Sequence, residues 1–256
     1  NPSNNTALVT DEEDDALRVI SMNSFETLHT ITLPDGSEAH AVAVNTEGTM
    51  AAVALSRNAS VALINLSQPT DITIVGTVAY PSRLAFAGKN LLVTNTGSGT
   101  VTVIDTESRS VIRTVTVGFA PTGIAADSAR AVVSNMQAGS LSMINLGNYS
   151  VNHVDLPQGT RPHGVAMDSG LDKAVITTPM SNGFLILNLT SNQFRRVETG
   201  MWNGMGPGAV AIHNSRAYIA NQMTASVTVV DLTTDAVVSS FPVDPGPRAL
   251  AVDRTR

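Results

Sequence analysis

The sequence has no cysteine among its 256 residues, so it can form neither a disulfide nor a thiolate metal site. Charged residues make up only 14% of the chain, and the formal net charge is −6. No lysine- or arginine-rich run is present, which excludes the basic surface of a nucleic-acid-binding protein. No apolar run approaches the roughly 18 residues of a membrane-spanning helix, so no membrane insertion is expected.

Catalytic signature motifs are also missing. The sequence has no G-x-S-x-G, no H-E-x-x-H and no glycine-rich phosphate-binding loop. Aromatic residues are scarce at 4%, whereas hydrophobic residues make up 43% of the chain and are mostly small or β-branched. Because these apolar residues recur with a regular period, we expect a densely packed all-β protein.

The stretch from Leu91 to Asp127 contains four short predicted strands separated by turns. Its second strand, Thr100–Asp105, alternates polar and apolar residues with the period of two that is typical of a strand. A glycine-rich turn, Thr96–Gly99, precedes this strand, and a second turn, Thr106–Ser108, follows it. Four strands in a segment of this length predict one blade of a β-propeller.

Two independent landmarks repeat this pattern along the chain. The alternating strands end at residues spaced 44, 40, 40, 43 and 43 apart: Ser21, Asn65, Asp105, Asn145, Asn188 and Asp231. A small-residue strand opens, usually behind a proline, at Ala39, Pro81, Pro121, Pro162, Pro207 and Pro247. Both spacings are about 42 residues, the length of a propeller blade.

We name the strands of a blade A, B, C and D, where A opens behind the proline and C is the alternating strand. The B strands are predicted at Ala7–Thr10, Met50–Leu55, Leu91–Asn95, Ala131–Asn135, Lys173–Thr177 and Arg216–Asn221. The chain begins with a B strand and ends with an A strand, Arg248–Val252. The prediction is therefore a single six-bladed β-propeller domain over residues 1–256, in which Arg248–Val252 pairs with Ala7–Thr10 and closes the ring.

An alanine stands at the fifth position of every A motif. We expect these alanines to pack where neighbouring blades converge, since small side chains are needed there. They are Ala43, Ala85, Ala125, Ala166, Ala211 and Ala251.

The segment Leu92–Asn95, followed by Gly99–Asp105 and then by Gly118 and Pro121, resembles the YVTN-type β-propeller repeat of bacterial and archaeal surface-layer and periplasmic proteins. Leu92 stands where that family has its tyrosine. The resemblance implies a propeller in a secreted, periplasmic or cell-surface protein. It does not choose a function, because related propellers include lactonases and redox enzymes as well as binding proteins.

Propellers usually bind ligands at the mouth of the central channel, on the face with the D–A and B–C loops. The candidate ligand-binding residues expected on this face are His40, Arg83, His163, Trp202 and Arg248. Imidazole and guanidinium groups around one mouth would hold an anion or a carboxylate, although each of these side chains is also a common solvated rim residue. The main prediction is a monomeric, non-catalytic binding or scaffold propeller for a protein, a glycan or a small anionic or polar ligand.

Two alternatives remain open for the same face. One is a lactonase-like hydrolase with its site in the channel mouth, and the other is a metal site that uses Met136, Met180 and Met223. The acidic run Asp11–Asp15 lacks calcium-loop spacing and is interpreted as a solvated negative loop. The main prediction therefore includes no metal, no cofactor and no catalytic residue.

Overall fold

The computed structural model describes residues 5–181, 183–198 and 206–252. The first sheet has the order β1-β2-β3 and consists of Thr6–Asp11, Ala16–Ser21 and Thr27–Thr32. The second sheet, β4 to β7, consists of Ala39–Val44, Met50–Leu55, Ser60–Asn65 and Ile72–Gly76. The third, β8 to β11, consists of Pro81–Ala87, Asn90–Asn95, Thr100–Asp105 and Ser110–Thr116.

The remaining three sheets have four strands each. The fourth, β12 to β15, consists of Pro121–Ala126, Arg130–Asn135, Ser140–Asn145 and Val151–Asp155. The fifth, β16 to β19, consists of Val165–Asp168, Lys173–Thr178, Gly183–Asn188 and Phe194–Glu198, with a short 3-10 helix at Pro179–Ser181. The sixth, β20 to β23, consists of Pro207–His213, Arg216–Asn221, Ser226–Asp231 and Ala236–Pro242.

In every sheet, each strand pairs antiparallel with the strand that follows it in the chain. Six consecutive antiparallel meanders confirm the predicted fold class, a six-bladed β-propeller. The described part of the chain contains no helix that is long and apolar enough to cross a membrane.

The first sheet has three strands, and residues 243–252 form no strand. The predicted A strand at residues 248–252 is therefore not formed, and β1 pairs with β2 alone within its sheet. Two prolines, Pro245 and Pro247, remove backbone donors from this segment, and Gly246 between them has a φ of 75°. The same geometry precedes A strands that do form, since Tyr80 and Ala120, with φ values of 57° and 53°, stand directly before Pro81 in β8 and Pro121 in β12. It therefore does not explain why residues 248–252 form no strand.

The chain divides into two compact units, with the boundary between Ala120 and Pro121. Each unit has its core between consecutive blades. In the first unit, Leu17, Val53 and Ile64 belong to one buried cluster and Leu63, Val93 and Ile104 to the next. In the second unit, the corresponding clusters are built around Ile176 with Leu187 and around Phe184 with Ile219. The B and C strands supply most of these buried side chains, as the alternating pattern predicts.

A side chain at the end of each C strand holds the following turn. Asn188 Oδ1 accepts hydrogen bonds from Thr190 N at 3.1 Å and Ser191 N at 2.7 Å. The same arrangement, in which an Asx or Ser side chain accepts from backbone N–H groups two or three residues on, occurs at Ser21, Asn65, Asp105, Asn145 and Asp231. The landmark that reveals the repeat in the sequence is thus a turn-forming residue.

The tightest approach between blades of the second unit occurs at glycines. A Cβ atom on Gly123 would lie 2.0 Å from the carbonyl oxygen of His163, and one on Gly164 would lie 2.6 Å from that of Gly208. The five predicted alanines in strands, Ala125 and Ala166 among them, are only half-buried, and Ala251 is exposed. The small residues that blade packing demands therefore lie two positions before the predicted alanines.

Candidate functional site

A β-bulge follows the first residue of the A strands β4, β8 and β12. The pairing register shifts between Ala39 and Ala41 in β4, between Pro81 and Arg83 in β8, and between Pro121 and Gly123 in β12. The extra residues are His40, Ser82 and Thr122. Because a β-bulge redirects side chains, it gives these positions a different orientation from the rest of the strand.

His40 is paired with a carboxylate from the neighbouring blade. Its Nδ1 lies 2.9 Å from Oε1 of Glu12, a residue of the loop between β1 and β2. Both side chains are partly exposed, at 39% for His40 and 58% for Glu12. Glu12 was not among the predicted site residues, although its place in a B–C loop was the signal that could have identified it.

Arg83, in β8, is half-buried and has no ion pair within the described residues. Its Nη1 donates a hydrogen bond of 3.0 Å to the carbonyl oxygen of Ser82. Burial lowers the pKa of the guanidinium, and the negative charge of Glu12 opposes this shift. The first unit therefore brings Glu12, His40 and Arg83 together on its D–A and B–C side, with one cation that is not neutralised by contact.

Glu12, Glu13 and Asp14 of the acidic run are exposed, as expected for a solvated loop, whereas Asp11 and Asp15 at its two ends are half-buried. Asp11 forms an ion pair with Arg18 at 2.7 Å, and this hydrogen bond is the main reason that the pKa of Asp11 is lowered. Asp15 accepts hydrogen bonds from the backbone of Gly36 at 2.6 Å and Glu38 at 2.9 Å. Burial raises the pKa of Asp15, but its hydrogen bonds outweigh that effect and lower it overall. Asp11 is therefore held by Arg18, and Asp15 holds the loop before β4.

A chain of hydroxyl groups lies beside Arg83. Ser82 Oγ is 3.0 Å from Thr94 Oγ1 and 2.6 Å from Thr96 Oγ1, and the Arg83 backbone N–H donates to Thr94 Oγ1 at 3.0 Å. Tyr80, one residue before β8, is 61% exposed, and its carbonyl oxygen accepts from Thr96 N. Phe119, before β12, is 60% exposed. Neither ring was among the predicted site residues.

The other predicted site residues belong to the second unit. His163 is half-buried, its backbone N–H donates to the carbonyl oxygen of Thr177 at 2.8 Å, and its own carbonyl oxygen accepts from Ser134 Oγ. Arg248 is exposed after β23. Trp202 lies outside the described residues. The backbone of His163 thus has a packing role, whatever its imidazole binds.

The three methionines that suggested a soft-metal site differ in exposure. Met180 and Met223 are 59% and 61% exposed, and Met136 is half-buried. Within residues 5–181, 183–198 and 206–252, no three His, Asp or Glu side chains are grouped so as to hold a metal ion.

Known proteins show similarity to this chain in structure alone. No family model matches the chain, and no curated protein matches it. Hydrazine synthase of Kuenenia stuttgartiensis has a TM-score of 0.84 at 17% identity, covering 97% of this chain and 86% of that chain. Virginiamycin B lyase of Staphylococcus aureus has a TM-score of 0.84 at 12% identity, covering 97% and 85%. A chain of the mitotic checkpoint complex has a TM-score of 0.83 at 12% identity, covering 96% and 77%. At these identities the similarity shows the propeller fold.

Proposed function

We propose that this chain is a non-catalytic binding propeller of the YVTN type, located in the cell envelope or secreted. Its first unit binds a carboxylate or another anion beside Arg83 and His40. The YVTN assignment and the location rest on the motif Leu92–Asn95 with Gly99–Asp105. The anion site rests on the environment of Arg83. Participation of His163, Trp202 and Arg248 stays a prediction.

The observation that carries the proposal is a half-buried guanidinium without a carboxylate partner in the described structure. Removing a charge from water is costly unless another charge or several hydrogen bonds compensate it. Within the described residues, the Arg83 side chain donates to one acceptor, a neutral carbonyl oxygen, so most of its five N–H donors are available to a ligand. A planar carboxylate or phosphate oxygen pair matches the guanidinium fork.

Three other arginines of the first unit, Arg18, Arg57 and Arg109, form ion pairs with carboxylates. Arg109 donates to both carboxylate oxygens of Asp71 at 2.9 Å, and Arg18 is bound by Asp11. Arg57 pairs with Glu38 at 3.3 Å. Since the whole chain has a net charge of −6, an unpaired, desolvated cation on the loop side is not a consequence of overall charge.

The test measures thermal stability of the protein in phosphate, sulfate, citrate and glucuronate at constant ionic strength. A ligand that binds only the folded state raises the melting temperature. At a ligand concentration of 100 times the Kd, it stabilises the folded state by about 2.7 kcal/mol. We expect at least one of these anions to raise it, and Arg83→Ala to abolish the increase. Arg57→Ala is the matched control and should retain it, because Arg57 already has a carboxylate partner. An equal response of Arg83→Ala and wild type, or no response to any anion, would reject the proposal.

A lactonase-like hydrolase is a second candidate, and the His40–Glu12 pair favours it. A carboxylate 2.9 Å from one imidazole nitrogen orients the ring and leaves the other nitrogen to act as a general base toward a water molecule. Arg83 would then stabilise the oxyanion formed from the lactone carbonyl. Base consumption by a panel of γ- and δ-lactones tests this candidate. Turnover that His40→Ala removes and Glu12→Gln reduces would support it, whereas no turnover would exclude these substrates.

A further inference from the structure

We propose that the ligand of the first unit is an acidic oligosaccharide, with a sugar ring stacked against Tyr80 and Phe119 and its carboxylate bound by Arg83. This inference rests on the proposed function and adds the class of ligand. The site consists of the two aromatic rings, the turn Thr96–Gly99 between them, and the hydroxyl groups that lead to Arg83.

Tyr80 is exposed and yet held in place. Its side chain is 61% exposed, and its backbone has a φ of 57°, a conformation that bulky residues rarely adopt. One edge of the ring lies over Gly97, where a Cβ atom would be only 2.9 Å from Tyr80 Cδ2. The matching positions of other B–C loops have Glu13, Arg57, Gln137 and Met223. Gly97 therefore provides the space in which the ring of Tyr80 rests.

Phe119 lies at the other end of the same turn. Its Cα is 3.8 Å from the place of a Cβ on Gly99, and Val117 N donates to the carbonyl oxygen of Gly99 at 2.9 Å. The Phe119 side chain is 60% exposed. Two accessible aromatic rings thus flank a four-residue turn that has glycines at both points of contact. Aromatic side chains have only two rotatable χ angles, so they offer a large contact area with little loss of side-chain entropy on binding.

The surroundings of the two rings are hydroxyl groups and one cation. Ser98 Oγ is 2.8 Å from Thr100 Oγ1, and Ser82 Oγ is 2.6 Å from Thr96 Oγ1. Tyr80 and Arg83 are three residues apart along an extended segment, which corresponds to roughly 10 Å. A pyranose ring has an apolar C–H face for the aromatic rings and hydroxyl groups for the serines and threonines. A uronic or sialic acid adds the carboxylate that Arg83 lacks.

The distribution of exposed apolar side chains favours a sugar over a protein partner. In the described part of the first unit, the other exposed large apolar side chains lie in β1, in the β2–β3 turn and in the outer strands β3, β7 and β11. Tyr80 and Phe119 are therefore an isolated pair on the loop side. A stable protein interface buries more than about 1,000 Å² around an apolar centre, which two rings surrounded by hydroxyl groups do not provide.

The test applies the fluorescently labelled protein to a glycan microarray that holds uronic-acid and sialic-acid glycans beside neutral ones. Isothermal titration calorimetry then measures the Kd of the strongest acidic glycan and of its carboxyl-reduced form. We expect Tyr80→Ala and Phe119→Ala each to weaken binding about tenfold or more, and Gly97→Ala to weaken it by displacing the Tyr80 ring. Phe25→Ala is the matched control, because Phe25 is 75% exposed in the β2–β3 turn and should not affect binding.

The outcomes separate this inference from the proposed function. If no acidic glycan binds, or if Tyr80→Ala and Phe119→Ala bind as tightly as wild type, the ligand is not an oligosaccharide stacked on these rings. The Arg83-dependent response to simple anions would still stand in that case. If the carboxyl-reduced glycan binds as tightly as the acid, the sugar platform exists without Arg83. Capture of a protein through Tyr80 and Phe119, with no glycan bound, would replace the sugar by a protein partner.

Discussion

The A strands of the third and fourth blades, β8 and β12, have the same bulge but use it differently. After the bulge, β12 has Gly123, which lies so close to a neighbouring backbone that a Cβ would be 2.0 Å from a carbonyl oxygen. At the same position β8 has Arg83, a half-buried cation without an ion pair in the described structure. The repeat supplies one bulged strand geometry, in which Gly123 packs against a neighbouring backbone and Arg83 is the cation of the proposed anion site.

The largest expected loss of stability comes from a substitution at Gly123, the glycine that packs against a neighbouring backbone. Gly123→Ala forces a methyl group against the carbonyl oxygen of His163 and should lower the free energy of unfolding by about 3 kcal/mol or more. Urea unfolding followed by far-UV circular dichroism measures the change. Ala41, at the same position in β4, already has a Cβ, so the control Ala41→Gly should cost only about 1 kcal/mol. Equal effects of both substitutions would contradict the close approach at Gly123.

A second comparison uses the last residue of the B–C loop, which has a positive φ in five of the blades that the structure describes. Gly139 has a φ of 64° and Ala225, at the matching position, has a φ of 47°. Gly139→Ala should destabilise the protein by about 1–2 kcal/mol, because the left-handed conformation strains an L-residue and the Cβ would lie 3.2 Å from the carbonyl oxygen of Thr160. Ala225→Gly should stabilise it by up to about 1 kcal/mol. Changes of the same sign in both variants would disprove this interpretation.

A substitution at Arg83 should change stability less than one at Gly123, and in the opposite direction. Arg83→Met keeps an unbranched apolar side chain and removes the buried charge. We expect a free energy of unfolding equal to that of wild type or up to about 1 kcal/mol higher, together with loss of anion binding. Differential scanning calorimetry with and without glucuronate measures both properties. A large loss of stability would show that Arg83 supports the fold and would count against the anion site.

The ion pair between Asp71 and Arg109 should make the free energy of unfolding depend on pH, whereas Arg83 has no carboxylate partner in the described structure that could do so. Hydrogen bonds from Arg109 hold the pKa of Asp71 below its usual value of 3.8. A carboxyl group whose pKa is depressed in the folded state contributes stability above its unfolded pKa and loses it as the pH falls through the folded pKa. The difference in unfolding free energy between wild type and Asp71→Asn should therefore be constant above about pH 5 and shrink below about pH 4. Urea titrations at pH 7, 5 and 3.5 test this, and a difference that grows in acid would refute it.

The sequence predicts the blades because their strands follow local rules. The predicted strand Met50–Leu55 agrees with β5 at both ends, and Leu91–Asn95 begins one residue after the start of β9. Alternation, turn residues and the 42-residue spacing are all properties of neighbouring residues. The prediction of a closing strand at residues 248–252 was wrong. Such a strand depends on a partner far away in the chain, which local sequence patterns do not report.

The site was less accessible to sequence reasoning. His40 and Arg83 were selected because they follow the start of the A motif, but the bulges at His40 and Ser82 depend on the pairing register. Glu12 was interpreted as part of a solvated run, although it contacts His40 at 2.9 Å. Tyr80 gave no signal in the sequence, since its exposure and its contact with Gly97 arise only when two loops of the third blade meet.

The turns that end the C strands also bear on the order in which the chain folds. Each one is closed by atoms no more than three residues apart, as at Asn188 with Thr190 and Ser191. Such a turn needs no distant partner, and isolated hairpins form within about 1–10 μs. A strands form a hairpin with the B strand that follows them, but they also bond to other blades, as when Thr177 Oγ1 donates to the carbonyl oxygen of Gly208, so their full set of contacts needs a neighbouring blade. We therefore expect the C–D hairpins of nascent chains to gain protection from hydrogen exchange first, and every blade to mature from its outer edge inward.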